Sequence, residues 1–165
     1  MTRPSWCMMD TPVGRLHLAA GAEGLTHVVY PGRDHGRPRG DGSTAAAVHL
    51  EAAVRQLGEY FAGARRTFDL TLALAGSDLR LAIWRRLSAI APGEVTSYGA
   101  LAGLVGRPGA ARAVGTAVGA NPLSIVLPCH RVVGADGKLH GYAGGLDAKR
   151  WLLSHEGAPL PRGRR

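Results

Sequence analysis

The sequence predicts an α+β protein in two halves. The first is an N-terminal α/β half with a small antiparallel sheet and a helix. The second is a mostly helical C-terminal half holding a helix-turn-helix and an active-site strand. Three observations carry this expectation. Between residues 6 and 30, short runs of strand-forming residues are separated by glycine-containing turns. From about 79 to 119, apolar residues recur at helical spacing in short blocks ended by glycine or proline. The apolar run Ser124-Ile125-Val126-Leu127 then stops at Pro128, directly ahead of Cys129, His130 and Arg131. The expected boundaries are 1–76, 77–158 and a disordered basic tail, 159–165.

In the N-terminal half, Thr11-Pro12-Val13-Gly14 is a turn candidate and Arg15 to Ala20 alternates. Gly21-Ala22-Glu23-Gly24 turns again, and Leu25 to Tyr30 is the next strand. Pro31 to Gly42, rich in Gly, Pro, Arg and Asp, is a loop. A helix capped by Ser43 or Thr44 follows and runs to about Ala62, with Val48, Ala52, Leu57, Tyr60 and Phe61 as its apolar stripe. Phe68, Leu70, Leu72 and Leu74 alternate, so Thr67 to Ala75 is a further strand. His17, His27, His35, His49 and Cys7 have no compact zinc spacing, and no metal is expected.

Gly76-Ser77-Asp78 links the halves and caps a helix from Leu79 to Ile90. Its face is Leu79, Ile83, Leu87 and Ile90, with Arg80, Arg85 and Arg86 largely in solvent. Thr96-Ser97 caps a short helix, Tyr98 to Val105. Gly106-Arg107-Pro108-Gly109 turns into a second helix, Ala110 to Gly119, closed by Asn121-Pro122. At 100° per residue Ala111, Val114 and Val118 face inward, while Arg112, Gly115, Thr116 and Gly119 lie opposite. Glycine costs about 1 kcal/mol relative to alanine in a helix. Two on one face serve either tight packing inside the protein or close approach of a bulky partner.

Only one other cysteine exists besides Cys129, namely Cys7. The thiolate is the reactive form of cysteine, and a neighbouring base or cation makes more of it. A Cys-His pair beside Arg131 therefore suggests a nucleophile, against the plainer alternative of a small buried residue. Downstream, Gly134-Ala135-Asp136-Gly137 reads as a turn. Gly141-Tyr142-Ala143-Gly144-Gly145 follows, then an amphipathic helix from about Asp147 through Trp151, Leu152 and Leu153 to Glu156. The three residues from Trp151 to Leu153 are expected in the core.

Taken together, Pro128-Cys129-His130-Arg131, the Gly141–Gly145 loop, Glu156 and the helix-turn-helix resemble the O6-alkylguanine-DNA alkyltransferase family. The likeness runs from about Leu81 to Ala158, with a weaker echo before it. It implies single-turnover DNA repair, in which Cys129 takes the alkyl group of O6-alkylguanine and, by extension, O4-alkylthymine. By resemblance His130 is the base acting through a water, oriented by Glu156. Tyr98 donates to guanine N3 and helps rotate the 3′ phosphate. Arg112, on a helix entering the minor groove with Ala111, Gly115 and Thr116, replaces the flipped nucleotide. Asn121 is the hinge. Tyr142, Ala143, Gly144 and the carbonyl of Val132 hold the base, the N–H of Ala143 serving O6. Arg131 is support. Some members hold zinc with two cysteines and two histidines, a set this chain cannot assemble. Many relatives have serine where Ala143 stands, which leaves the preferred alkyl group open.

Composition agrees with a nucleic-acid partner. The 165 residues carry 20 Lys+Arg against 12 Asp+Glu, a formal net charge of +8, and such a balance favours a polyanion. A reactive thiol and no disulfide framework imply a reducing, cytoplasmic setting. No apolar run approaches membrane-spanning length and no signal-peptide core is seen. The expected state is a monomer on double-stranded DNA without a cofactor, cooperativity left open. Two competing classes are a non-catalytic lesion-binding module, which would lack Cys129, and a cysteine hydrolase, which gives no reason for a glycine-faced helix.

Overall fold

The structure is a computed structural model and describes residues 5–32 and 39–160. The chain divides into two compact units, Met1–Ala75 and Gly76–Arg165. His35, part of the Pro31–Gly42 loop and the tail beyond residue 160 lie outside the described residues.

The first unit is an antiparallel meander in the order β1 (Trp6–Thr11), β2 (Gly14–Gly21), β3 (Gly24–Val29), followed by helix α1 (Thr44–Phe61). Thr11 pairs with Gly14 and Gly21 with Gly24, which places the two turns where glycine was read. Gly24 has φ +148°, and a Cβ there would stand 2.6 Å from the Thr71 carbonyl, so only glycine fits. The alternation expected from Arg15 to Ala20 is absent. Leu16 through Ala20 are all buried, because the central strand is covered on both faces.

Ser43 caps α1, its hydroxyl accepting from the N–H of Ala46. The buried stripe is Ala46, Ala47, Leu50, Ala53, Leu57 and Tyr60. Val48 is 53% exposed, and Ala52 and Phe61 are half-buried, which corrects the expected stripe. In so alanine-rich a helix, the larger apolar residues are a poor guide to the inner face. Thr67–Ala75 is not a strand either. Only Leu72 bridges Leu25, while the Gln56 side chain accepts from Asp69 N–H and donates to Asp69 C=O, both at 2.9 Å. A side chain has taken the backbone groups that a ladder would use.

In the second unit, α2 (Asp78–Leu87) is capped by Ser77 and buries Ile83, Trp84 and Leu87. Leu79 and Ile90 are only half-buried, and Trp84 is the residue the apolar face lacked. Its indole N–H donates to the Ala117 carbonyl at 2.9 Å, tying α2 to the second helix of the helix-turn-helix. Ser97 caps α3 (Tyr98–Leu104), and α4 runs Ala111–Gly119 with Val114, Ala117 and Val118 buried. Ahead of α3, β4 (Thr96–Ser97) pairs in parallel with β5 (Val132–Val133). Helix α5 (Leu146–His155) buries Leu152 and Leu153, whereas Trp151 is half-buried and stacks on His155 at 4.6 Å. Among the described residues, no helix is long and apolar enough to cross a membrane.

The expected active-site strand is the main correction. Ser124–Leu127 closes a tight turn in which Leu127 N–H donates to Leu123 C=O and Val126 N–H to Ser124 C=O. Ile125 takes φ +73°, a conformation β-branched residues rarely adopt. Asn121 holds the turn from inside, donating to the Leu127 carbonyl at 2.8 Å and accepting from Leu123 N–H at 2.9 Å. Cys129–Arg131 then forms one 3-10 turn before β5.

Candidate active site

A pocket in the second unit is lined by Tyr98, Gly115, Val118, Gly119, Asn121, Ser124, Cys129, Gly141, Tyr142 and Ala143. Four stretches of chain build it. The start of α3 supplies Tyr98, α4 supplies one wall, the Asn121 turn and the 3-10 turn supply the floor with Cys129, and the 141–143 loop closes the far side. Cys129 is buried.

Behind the thiol lies a charged cluster. His130 Nε2 stands 2.8 Å from Glu156 Oε1, and Arg131 donates to both Glu156 oxygens, each at 2.8 Å. Arg131 also donates to the Ile90 carbonyl. Burial alone would push the Glu156 carboxyl up, but the hydrogen bonds from Arg131 and His130 hold it well below the usual carboxylate range. An ionised Glu156 can only accept, so Nε2 carries the imidazole hydrogen and Nδ1 the lone pair. Nδ1 is buried and has no hydrogen-bond partner. Burial lowers the His130 pKa, with Glu156 opposing, so the ring is a neutral base. Glu156 reaches this position because it is the C-cap residue of α5, at φ −83°, where the chain turns at Gly157.

Cys129 itself is pushed up by burial. The Asn121 amide, the Lys149 ammonium and the N–H groups of Cys129 and His130 pull it down. Arg131 takes no direct part, because its guanidinium is spent on Glu156. Lys149 was missed in the sequence. It is fully buried in α5, and its ammonium donates to the Val132 carbonyl at 2.7 Å and the His140 carbonyl at 3.0 Å, strapping together the two ends of the hairpin that precedes the 141–143 loop. Helical spacing held the signal: 149, 152 and 153 share one face, and the other two are leucines.

Tyr98, Tyr142 and Ala143 line the pocket. Gly144 and Val132 do not. The Val132 carbonyl, expected to help hold the base, accepts from the Lys149 ammonium, and the Cys129 carbonyl accepts from Val132 N–H. Asn121 is also internal: 5% exposed, it clamps the floor and does not face outward with α4. Arg112 and Thr116 are exposed on α4, Ala111 is half-exposed, and the Thr116 hydroxyl turns back onto the Arg112 carbonyl at 3.2 Å. Among the described residues, no three His, Cys, Asp or Glu side chains stand close enough to hold a metal ion.

Comparison with known proteins shows the family. Residues 78–158 match the model of the 6-O-methylguanine DNA methyltransferase DNA-binding domain, and residues 6–74 match that family's ribonuclease-like domain. The chain belongs to this family. A methylated-DNA–protein-cysteine methyltransferase of Mycolicibacterium paratuberculosis is 48% identical over 148 residues, covering 90% of this chain and 89% of the relative. Its Mycobacterium bovis counterpart is 43% identical over 159 residues, covering 93% and 92%. Among solved structures, Mycobacterium tuberculosis OGT in complex with DNA superposes with a TM-score of 0.82 at 43% identity, covering 93% of this chain and 94% of that one. The methyltransferase family thus spans both units, with Cys129 in the pocket of the DNA-binding domain.

Proposed function

We propose that this protein repairs alkylated DNA by moving the alkyl group from O6 of guanine to Cys129 Sγ, once per chain. The carrying observation is the arrangement of His130: one nitrogen fixed by an ionised carboxylate, the other an unpaired base, adjacent in sequence to the one thiol in the pocket. Nδ1 accepts the thiol proton through a water. The sulfur pair attacks the alkyl carbon, the carbon–O6 bond breaks, and its electrons pass to guanine, which is protonated as it leaves. Charge develops on the base, where a positioned donor is most effective. Tyr98 supplies one at N3 and the Ala143 N–H supplies one at O6. The thioether is stable, and no second group in the pocket removes it. O4-alkylthymine presents the same alkyl–oxygen bond and is a second substrate.

A pocketed thiol cannot reach a stacked base, so the nucleotide must leave the duplex. Arg112, exposed on a face otherwise bare, enters the minor groove beside Ala111, Gly115 and Thr116 and fills the gap. The relatives' names, and the DNA in the OGT complex, support alkyl transfer from DNA as the reaction.

The test is intact-mass measurement after mixing with excess O6-methylguanine duplex, run beside free O6-benzylguanine. Wild type should gain one methyl and stop, and Cys129→Ser should gain none while still binding DNA. Arg112→Ala should slow the duplex reaction well beyond the free-base reaction. Sustained turnover, or equal slowing of both substrates, would overturn the suicide mechanism or the flipping role respectively.

A further inference from the structure

Gly115 and Gly119 stand one turn apart on α4, and both line the Cys129 pocket. Nothing inside the protein requires glycine at either place. Neither has a left-handed backbone, and the helix ends beyond them at Ala120 with φ −89°. Gly119 is therefore not serving as the left-handed terminator that usually selects glycine at a helix end. A Cβ at 119 would meet no heavy atom within 4 Å, and one at 115 would meet only the Tyr98 ring, at an ordinary 3.7 Å. Gly24 and Gly40 show the contrast, since a Cβ there would lie 2.6 and 2.2 Å from backbone oxygens. Internal packing thus does not explain the α4 glycines, although glycine weakens a helix. Something outside the fold must need the space.

Displacement at a saturated carbon puts sulfur, carbon and oxygen on one line. Any part of the substituent beyond the first carbon must leave that line sideways, toward a wall of the pocket. Tyr98 and Tyr142 fill two directions with rings, and Asn121 is held in its clamp. On the wall built by the rigid helix α4, Val118 contributes a side chain and the two glycines leave the rest bare. We infer that Gly119, with Gly115 one turn before it, sets how large an O6 substituent the pocket admits. The inference rests on the alkyl-transfer reading above and adds to it the residue that limits alkyl size.

The experiment compares Gly119→Ala and Gly119→Leu with wild type, using free O6-methylguanine, free O6-benzylguanine and duplex O6-methylguanine. Both replacements are good helix formers, and thermal unfolding confirms that each variant folds. The benzyl-to-methyl rate ratio of the free bases should fall about tenfold for alanine and further for leucine, the range for a methylene-sized intrusion into a pocket. An unchanged ratio would overturn the inference while leaving alkyl transfer intact. A defect seen only with duplex would also overturn it, assigning the space to DNA. If wild type transfers no alkyl group, the underlying reading fails first. Should the leucine variant not fold, the alanine variant decides.

Discussion

Cys129 lies between two regions built on opposite rules. Behind it, His130, Arg131, Glu156 and Lys149 are buried and engaged by short hydrogen bonds, with only His130 Nδ1 left over. In front of it, α4 presents two glycines, an exposed arginine and a threonine turned onto its own backbone. The rear spends burial of charge on fixing one base in one orientation. The front gives up helix stability to keep a surface empty. Substitutions at the rear should therefore destabilise, and filling the front should stabilise while harming function.

The largest effect should come from Glu156→Gln, which keeps shape but leaves the buried Arg131 without a carboxylate. Removing one partner of a buried pair costs about 3–5 kcal/mol, measurable by urea unfolding at pH 7. Because the Glu156 carboxyl is held below its ordinary range, its stabilisation is complete above about pH 4.5 and is lost on acidification. The gap between the two proteins should then narrow steadily as pH falls below about 4.5, and close only well below the usual carboxylate range. Transfer at pH 7 should slow about a hundredfold, and the deficit should shrink as pH rises and hydroxide replaces the base. Equal stability at pH 7 would mean that the cluster carries no net charge pairing.

Lys149→Met probes the strap. Burial lowers the Lys149 pKa to about 8, with the Cys129 charge opposing. Between pH 8 and about 10.4 the unfolded chain binds more protons, so this lysine's contribution to stability must rise with pH across that window. The stability of wild type minus that of Lys149→Met should climb by about 3 kcal/mol over the same interval. A flat difference would show that the buried amine does not titrate there.

The smallest effect tests the front. Gly115→Ala should raise stability by about 1 kcal/mol, since its methyl meets only the Tyr98 ring at contact distance. It should also lower the benzyl-to-methyl rate ratio of the free bases, by a smaller factor than filling Gly119 does. A stability loss would mean that Gly115 is a packing residue after all, erasing the contrast between the two regions.

Much of the site was legible because its chemistry sits in adjacent residues. Cys129, His130 and Arg131 are consecutive, and Glu156 closes an amphipathic helix where a carboxylate is otherwise out of place. The floor was not legible. Ile125-Val126-Leu127 has strand propensity, and the fold overrides it with the Asn121 clamp and a left-handed isoleucine, which no local pattern reveals. Thr67–Ala75 failed for the same kind of reason, a side chain displacing a ladder. Lys149 was hidden because lysine on an inner face reads as a flaw in the stripe until its two carbonyl partners are seen.

The position of Glu156 also bears on how the protein is made. The carboxylate follows the histidine it orients by 26 positions, and synthesis runs from the N-terminus. While the ribosome is still working, Cys129 and His130 exist before Glu156, and α5 must dock before histidine and carboxylate meet. A growing chain therefore holds a histidine whose orientation nothing yet fixes.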